Sequence, residues 1–179
     1  MADRTAVVAQ LAELFREQGF AATSLPDISN ATGLGRGSLY HLFPGGKAAM
    51  LGAVVEDVTG WFEREIFTPL EAGDADVDAM LDAVVEYFDG GRRLCLIGRV
   101  GLEPGLEPLR AALDAYFERW EGSLGAALET VGREPSDAAD MAERVVVEIQ
   151  GALVVAHARD DAAVFGRTVD RLRGVLAEA

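Results

Sequence analysis

Apolar residues recur at three- and four-residue intervals along almost all of this 179-residue chain, and that spacing restricts its fold more than any other feature. A helix buries a stripe with a period of about 3.6 residues, whereas a half-buried strand alternates with a period of about 2. Clean alternation bounded by turn residues is missing, so the expected class is all-α, with about nine helices. The first carries Val7, Val8, Leu11, Leu14 and Phe15, capped by Asp3 and stopped by Gly19. Ser24-Leu-Pro-Asp27 reads as a capping box opening a short second helix that Gly33 ends. A third holds Arg36 to Phe43, and Pro44-Gly45-Gly46 closes it.

A long fourth helix is expected from about Lys47 to Phe67, followed by a polar loop between Glu71 and Asp78. The fifth spans Val77 to Phe88 and breaks at Gly90-Gly91, and the sixth holds Leu94 to Val100. The seventh carries Leu109 to Leu128, the eighth starts at Pro135-Ser136 and includes Met141 to His157, and the ninth runs from Val164 to Leu176 behind Asp160-Asp161. Two parts follow: a three-helix head over residues 1–46 and a larger helical body over residues 47–179.

The head's spacing is that of a helix-turn-helix. Gly33 tolerates the positive φ of a tight turn, while Ile28, Leu34, Leu39 and Leu42 fill the space between the helices. The second helix of such a pair presents polar groups outward, here Arg36, Ser38, Tyr40 and His41, with Gly37 allowing close approach. Arginine can bond bidentately to guanine in the major groove. Thr23 and Ser24 at the second helix's start, and Lys47 at the fourth's, suit phosphate contacts. Tyr40 can equally pack beneath the next helix, and His41 can be an exposed residue without a partner.

The net charge of −14 looks wrong for a DNA binder. Residues 1–50, however, hold four basic and four acidic side chains, so the whole excess lies beyond them. An acidic body repels DNA from everything except the neutral head.

Other chemistries fare poorly. Gly33-Leu-Gly-Arg-Gly37 follows a helix, where a dinucleotide loop needs a strand. Gly45-Gly46-Lys47 is followed by Ala48, where a phosphate loop needs Ser or Thr. No nucleophile elbow surrounds Ser38 or Ser123. One cysteine and two histidines leave no Cys/His metal cluster. The chain is expected not to be an enzyme and to need no cofactor or metal. With no long apolar span and no leader-like start, it is expected in the cytoplasm, away from membranes.

The run from Thr23 to Phe43 resembles the signature of the TetR family of transcription regulators, with Asp27, Ile28, Gly33, Gly37, Leu39, Tyr40, Phe43 and Lys47 falling on it. Phe43-Pro-Gly-Gly-Lys47 and the later Cys95-Leu96-Ile97 are similar to its LmrA-like subgroup. Ser29 departs from the usual Ala and Gly35 from the usual Ser cap. The resemblance implies an operator-binding repressor with a small-molecule cavity among the fourth to eighth helices. Candidate lining residues are Trp61, Phe62, Phe88, Cys95, Tyr116, Phe117, Trp120 and His157, which suit a lipophilic effector. Aromatic stripes of this kind also serve simply as core. The alternatives are an activator or a regulator without effector, and, further off, a helical adaptor or an enzyme.

The eighth and ninth helices carry wide apolar arcs that one core in so small a body would not absorb. A homodimer through Val146, Ile149, Leu153, Phe165 and Leu172 is therefore expected.

Overall fold

A computed structural model describes residues 3–72 and 76–177. All regular structure among these residues is helical. The helices are α1 (Arg4–Gln18), α2 (Leu25–Thr32), α3 (Arg36–Leu42), α4 (Gly46–Phe62), α5 (Val77–Tyr87), α6 (Leu96–Gly101), α7 (Arg110–Thr130), α8 (Pro135–Arg159) and α9 (Ala163–Ala177). Helix α4 continues through a π turn at Glu63–Phe67 into a last helical turn, Thr68–Glu71. Counted as one rod, it leaves nine helices among the described residues. Part of the expected Glu71–Asp78 loop, residues 73–75, lies outside them.

Local chemistry explains the boundaries. The Asp3 side chain accepts from the Thr5 amide and caps α1. Ser24 and Asp27 close a reciprocal capping box on α2, and Gly33 ends that helix in the left-handed region at φ 67°. The π turn was not expected. Pro69 supplies its reason: a proline ring inside a helix crowds the carbonyl four residues back. Widening the turn relieves this, and the Thr68 amide donates to Glu63 O, five residues back.

The chain forms two compact units. One comprises residues 1–60 and 96–113, the other residues 61–95 and 114–179. The first therefore contains α1 to α3, most of α4, and α6. Its core includes Val7, Leu11, Phe15, Ile28, Leu39, Phe43 and Met50, all buried. The second unit packs α5, α7, α8 and α9. Phe62, Phe88, Trp120, Ile149 and Phe165 are among its fully buried side chains. No described helix is long and apolar enough to cross a membrane.

Candidate nucleic-acid interface and aromatic cluster

In the first unit, α3 displays the residues expected to meet DNA. Leu39 points inward and is fully buried, whereas Arg36, Gly37, Ser38, Tyr40 and His41 are exposed. The Arg36 guanidinium lies 5.6 Å from the centre of the Tyr40 ring, so the two share one outer face. Tyr40 also packs against the backbone at Gly46, yet remains 39% exposed.

The residues before α2 are placed differently. Thr23 is buried, and its hydroxyl donates to Gly19 O at 2.6 Å, which makes it part of the loop's own framework. Ser24 is exposed, with its hydroxyl occupied in the capping box. Hydrogen bonds from Ser24 hold the Asp27 carboxyl below the usual carboxylate range. The Lys47 ammonium turns onto the same loop, donates to Thr23 O at 2.6 Å, and lies 4.4 Å from the centre of the Phe20 ring.

In the second unit, most of the expected lining residues come together. Phe62 is the hub: its ring centre lies 5.0 Å from that of Tyr116, 5.1 Å from Trp120, 5.1 Å from Trp61 and 6.2 Å from Phe88. Phe117 joins at the edge, 5.0 Å from Tyr116. Edge and tilted contacts dominate, as ring quadrupoles favour. Tyr87, Phe67 and Phe165 belong to the cluster as well. Of these, Phe165 is one of the residues expected at a dimer interface, and nothing in the sequence marks Phe67 for a role. Within this cluster the Trp120 Nε1–H is buried and has no hydrogen-bond partner among the described residues. Cys95 is buried, whereas His157 is exposed near the C-terminal end of α8.

Arg119 on α7 reaches the π turn, donating to Glu63 at 2.8 Å, and also pairs with Glu71. That bond holds the Glu71 carboxyl below its ordinary range. On another face, an open groove of about 510 Å³ between α7 and α8 is lined by Glu118, Glu121, Glu129, Asp140 and Glu143. Burial, then the neighbouring Glu143 and Glu118, push the Glu121 carboxyl up.

The five residues expected at a dimer interface, Val146, Ile149, Leu153, Phe165 and Leu172, are all buried within the chain itself. They line the seam along which α8 and α9 pack together and onto their own core. What α8 leaves outside is a different stripe. Val147 is 59% exposed, Val154 57% and Val155 38%, with Gly151 exposed between them. Periodicity reveals how wide an apolar arc is, but not which part the chain's own core uses.

Residues 7–54 match the family described as bacterial regulatory proteins, tetR family, and residues 69–171 match the LmrA/YxaF-like transcriptional regulator C-terminal domain. An uncharacterised HTH-type transcriptional regulator of Mycobacterium tuberculosis is 30% identical over 97% of this chain and 93% of that protein. The HTH-type transcriptional repressor DhaR of a Mycobacterium species is 32% identical over 60% of this chain and 56% of its own. Among solved structures, a TetR transcriptional regulator from Legionella pneumophila superposes with a TM-score of 0.84 at 18% identity, covering 98% of both chains. That likeness is one of fold.

Proposed function

Because this chain belongs to the TetR family of transcriptional regulators, with an LmrA/YxaF-like C-terminal domain, we propose that it is a repressor that leaves its operator when a small lipophilic effector binds. It is a DNA-binding regulator of transcription, not an enzyme. The observation that carries the DNA-binding part of this reading is the outer face of α3. Arg36, Ser38, Tyr40 and His41 stand exposed on a helix whose Leu39 is fixed in the core. A short helix anchored on one side and polar on the other fits the major groove. Arg36 reads a base edge there, while Ser38 and the Tyr40 hydroxyl meet phosphates.

The aromatic cluster supports the effector. A buried N–H without a partner is costly, on the order of 1–3 kcal/mol, and the Trp120 indole carries one. An aromatic ligand with a hydrogen-bond acceptor relieves that cost. The body's acidity disfavours anions, so the effector is neutral or cationic. It must bind the DNA-incompetent state better than the competent one, since affinity alone shifts nothing. The relative named DhaR is a repressor, which agrees with the direction proposed.

The working form is a homodimer in the cytoplasm, joined through the exposed Val147, Gly151, Val154 and Val155 stripe of α8. Sedimentation at micromolar concentration should give twice the chain mass. The experiment for the function is a gel shift with the DNA upstream of the protein's own gene against random DNA of equal length. A repressor shifts the first at far lower concentration, and an adaptor or enzyme shifts neither. Reporter expression that falls when the protein is supplied separates a repressor from an activator.

A further inference from the structure

The first unit contains a segment that the sequence assigns to the body. Residues 96–113 pack with the head, although the chain arrives there from Cys95 in the second unit and returns to it at Asp114. In the middle of this segment stands Glu103, just after α6. Its two carboxylate oxygens accept the Phe20 amide at 2.7 Å and the Ala21 amide at 2.6 Å, across more than 80 residues of sequence. Both amides belong to the loop that joins α1 to α2, where the chain has left one helix and not yet entered the next.

The fit is specific. Gly19, at φ +84°, brings the loop so close that a Cβ there would lie 3.0 Å from Glu103 Oε1 and 3.2 Å from Arg99 Nη2. On the other side of the loop, Lys47 donates to Thr23 O at 2.6 Å. Glu103 thus takes two of the loop's donors, and Lys47 two of its acceptors, Thr23 O and, at 3.5 Å, Ala21 O. Each contact is charge-assisted, the stronger kind of hydrogen bond. The loop's far end is Ser24, which caps α2; α2 packs against α3, and Ile28 on the one and Leu39 on the other are both fully buried.

We propose that Glu103 is a positioning residue for DNA binding. Its carboxylate fixes the α1–α2 loop, and through it the pose of α2 and the recognition helix α3. DNA affinity therefore depends on a side chain that touches no DNA and sits between the two points where the chain crosses from one unit to the other. The inference rests on α3 being the DNA-reading helix.

The test uses the full-length protein. Operator affinity is measured by fluorescence anisotropy for wild type, Glu103→Ala, Glu103→Gln and Gly19→Ala, with amide hydrogen exchange followed by NMR. Glu103→Ala removes both charge-assisted bonds to the loop and should weaken operator and random DNA alike, by roughly tenfold or more. Phe20 and Ala21 should lose exchange protection while Leu11 and Met50 keep theirs. Glu103→Gln, whose amide oxygen still accepts, should fall between Ala and wild type. Gly19→Ala should resemble Glu103→Ala, because its methyl group pushes the carboxylate away. Wild-type affinity in Glu103→Ala and Glu103→Gln overturns the proposal, as does a loss of affinity matched by a general loss of protection in both. If wild type itself fails to prefer the operator, the reading of α3 fails instead, and that outcome removes the inference with it.

Discussion

The Lys47 ammonium sits 2.6 Å from the carbonyl oxygen of Thr23, inside the head, with the Phe20 ring 4.4 Å away. A lysine at the start of a helix suits a phosphate contact, but here the charge is already engaged by the protein. Lys47→Ala should therefore weaken binding on every DNA sequence by loosening the loop. The slope of log affinity against log salt should change by less than the roughly one unit that a lost phosphate contact produces. Anisotropy at several salt concentrations measures both. A full unit of slope would put the ammonium on the DNA.

Arg36 is the opposite case. It is exposed and stacked beside the Tyr40 ring, and nothing in the described structure fixes its fork in an ion pair. Arg36→Ala should cost about 1–3 kcal/mol on the operator and much less on random DNA, because a base-edge contact is what disappears. A selection of binding sequences with the variant should show relaxed preference at one position of each half-site.

The capping box gives the head a pH dependence. Hydrogen bonds from Ser24 lower the Asp27 carboxyl in the folded state. A group depressed on folding adds stability above its unfolded pKa, and that contribution is lost as pH falls through the lower folded value. The wild-type head should therefore weaken as pH drops below about 4, the ordinary aspartate range, and Asp27→Asn should show less of that fall. Thermal unfolding by circular dichroism at pH 3, 4 and 6 checks it.

Two glycines make a matched pair for stability. Gly91 has φ +99°, and a Cβ there would lie 2.5 Å from Phe165 Cβ. Gly91→Ala combines backbone strain with overpacking and should cost roughly 2–4 kcal/mol. Gly52 lies inside α4, and beyond its own helix backbone no described atom comes within 4 Å of its Cβ position. Gly52→Ala should instead add about 0.5–1 kcal/mol through helix propensity. Denaturant unfolding of both variants reads the two signs.

What the sequence revealed is mostly short-range. The Asp3 cap, the Ser24–Asp27 box and the Gly33 stop are contacts within a few residues, and residue type nearly determines them. The inward Leu39 and outward Arg36 followed from the period of one helix. Choices between partners were hidden. The wide arcs of α8 and α9 suggested an interface, yet Ile149 and Phe165 serve the chain's own core, and Val147 and Val154 are left outside. The π turn had a visible signal in Pro69, a helix breaker within a long apolar period. Glu103 had none. Its partners lie more than 80 residues back, and one acidic residue among 30 does not announce which backbone amides it will meet.

Occupying the aromatic cluster should loosen the grip of α3 on DNA. Titrating labelled upstream operator with a panel of neutral and cationic aromatic compounds, followed by anisotropy, tests it most directly. At least one compound bearing a hydrogen-bond acceptor should release the wild-type protein. Trp120→Phe, which keeps a ring but removes the indole N–H, should hold the operator as tightly as wild type and respond at clearly higher concentration. Release by small hydrophilic anions alone, or an unchanged response in Trp120→Phe, would contradict the account.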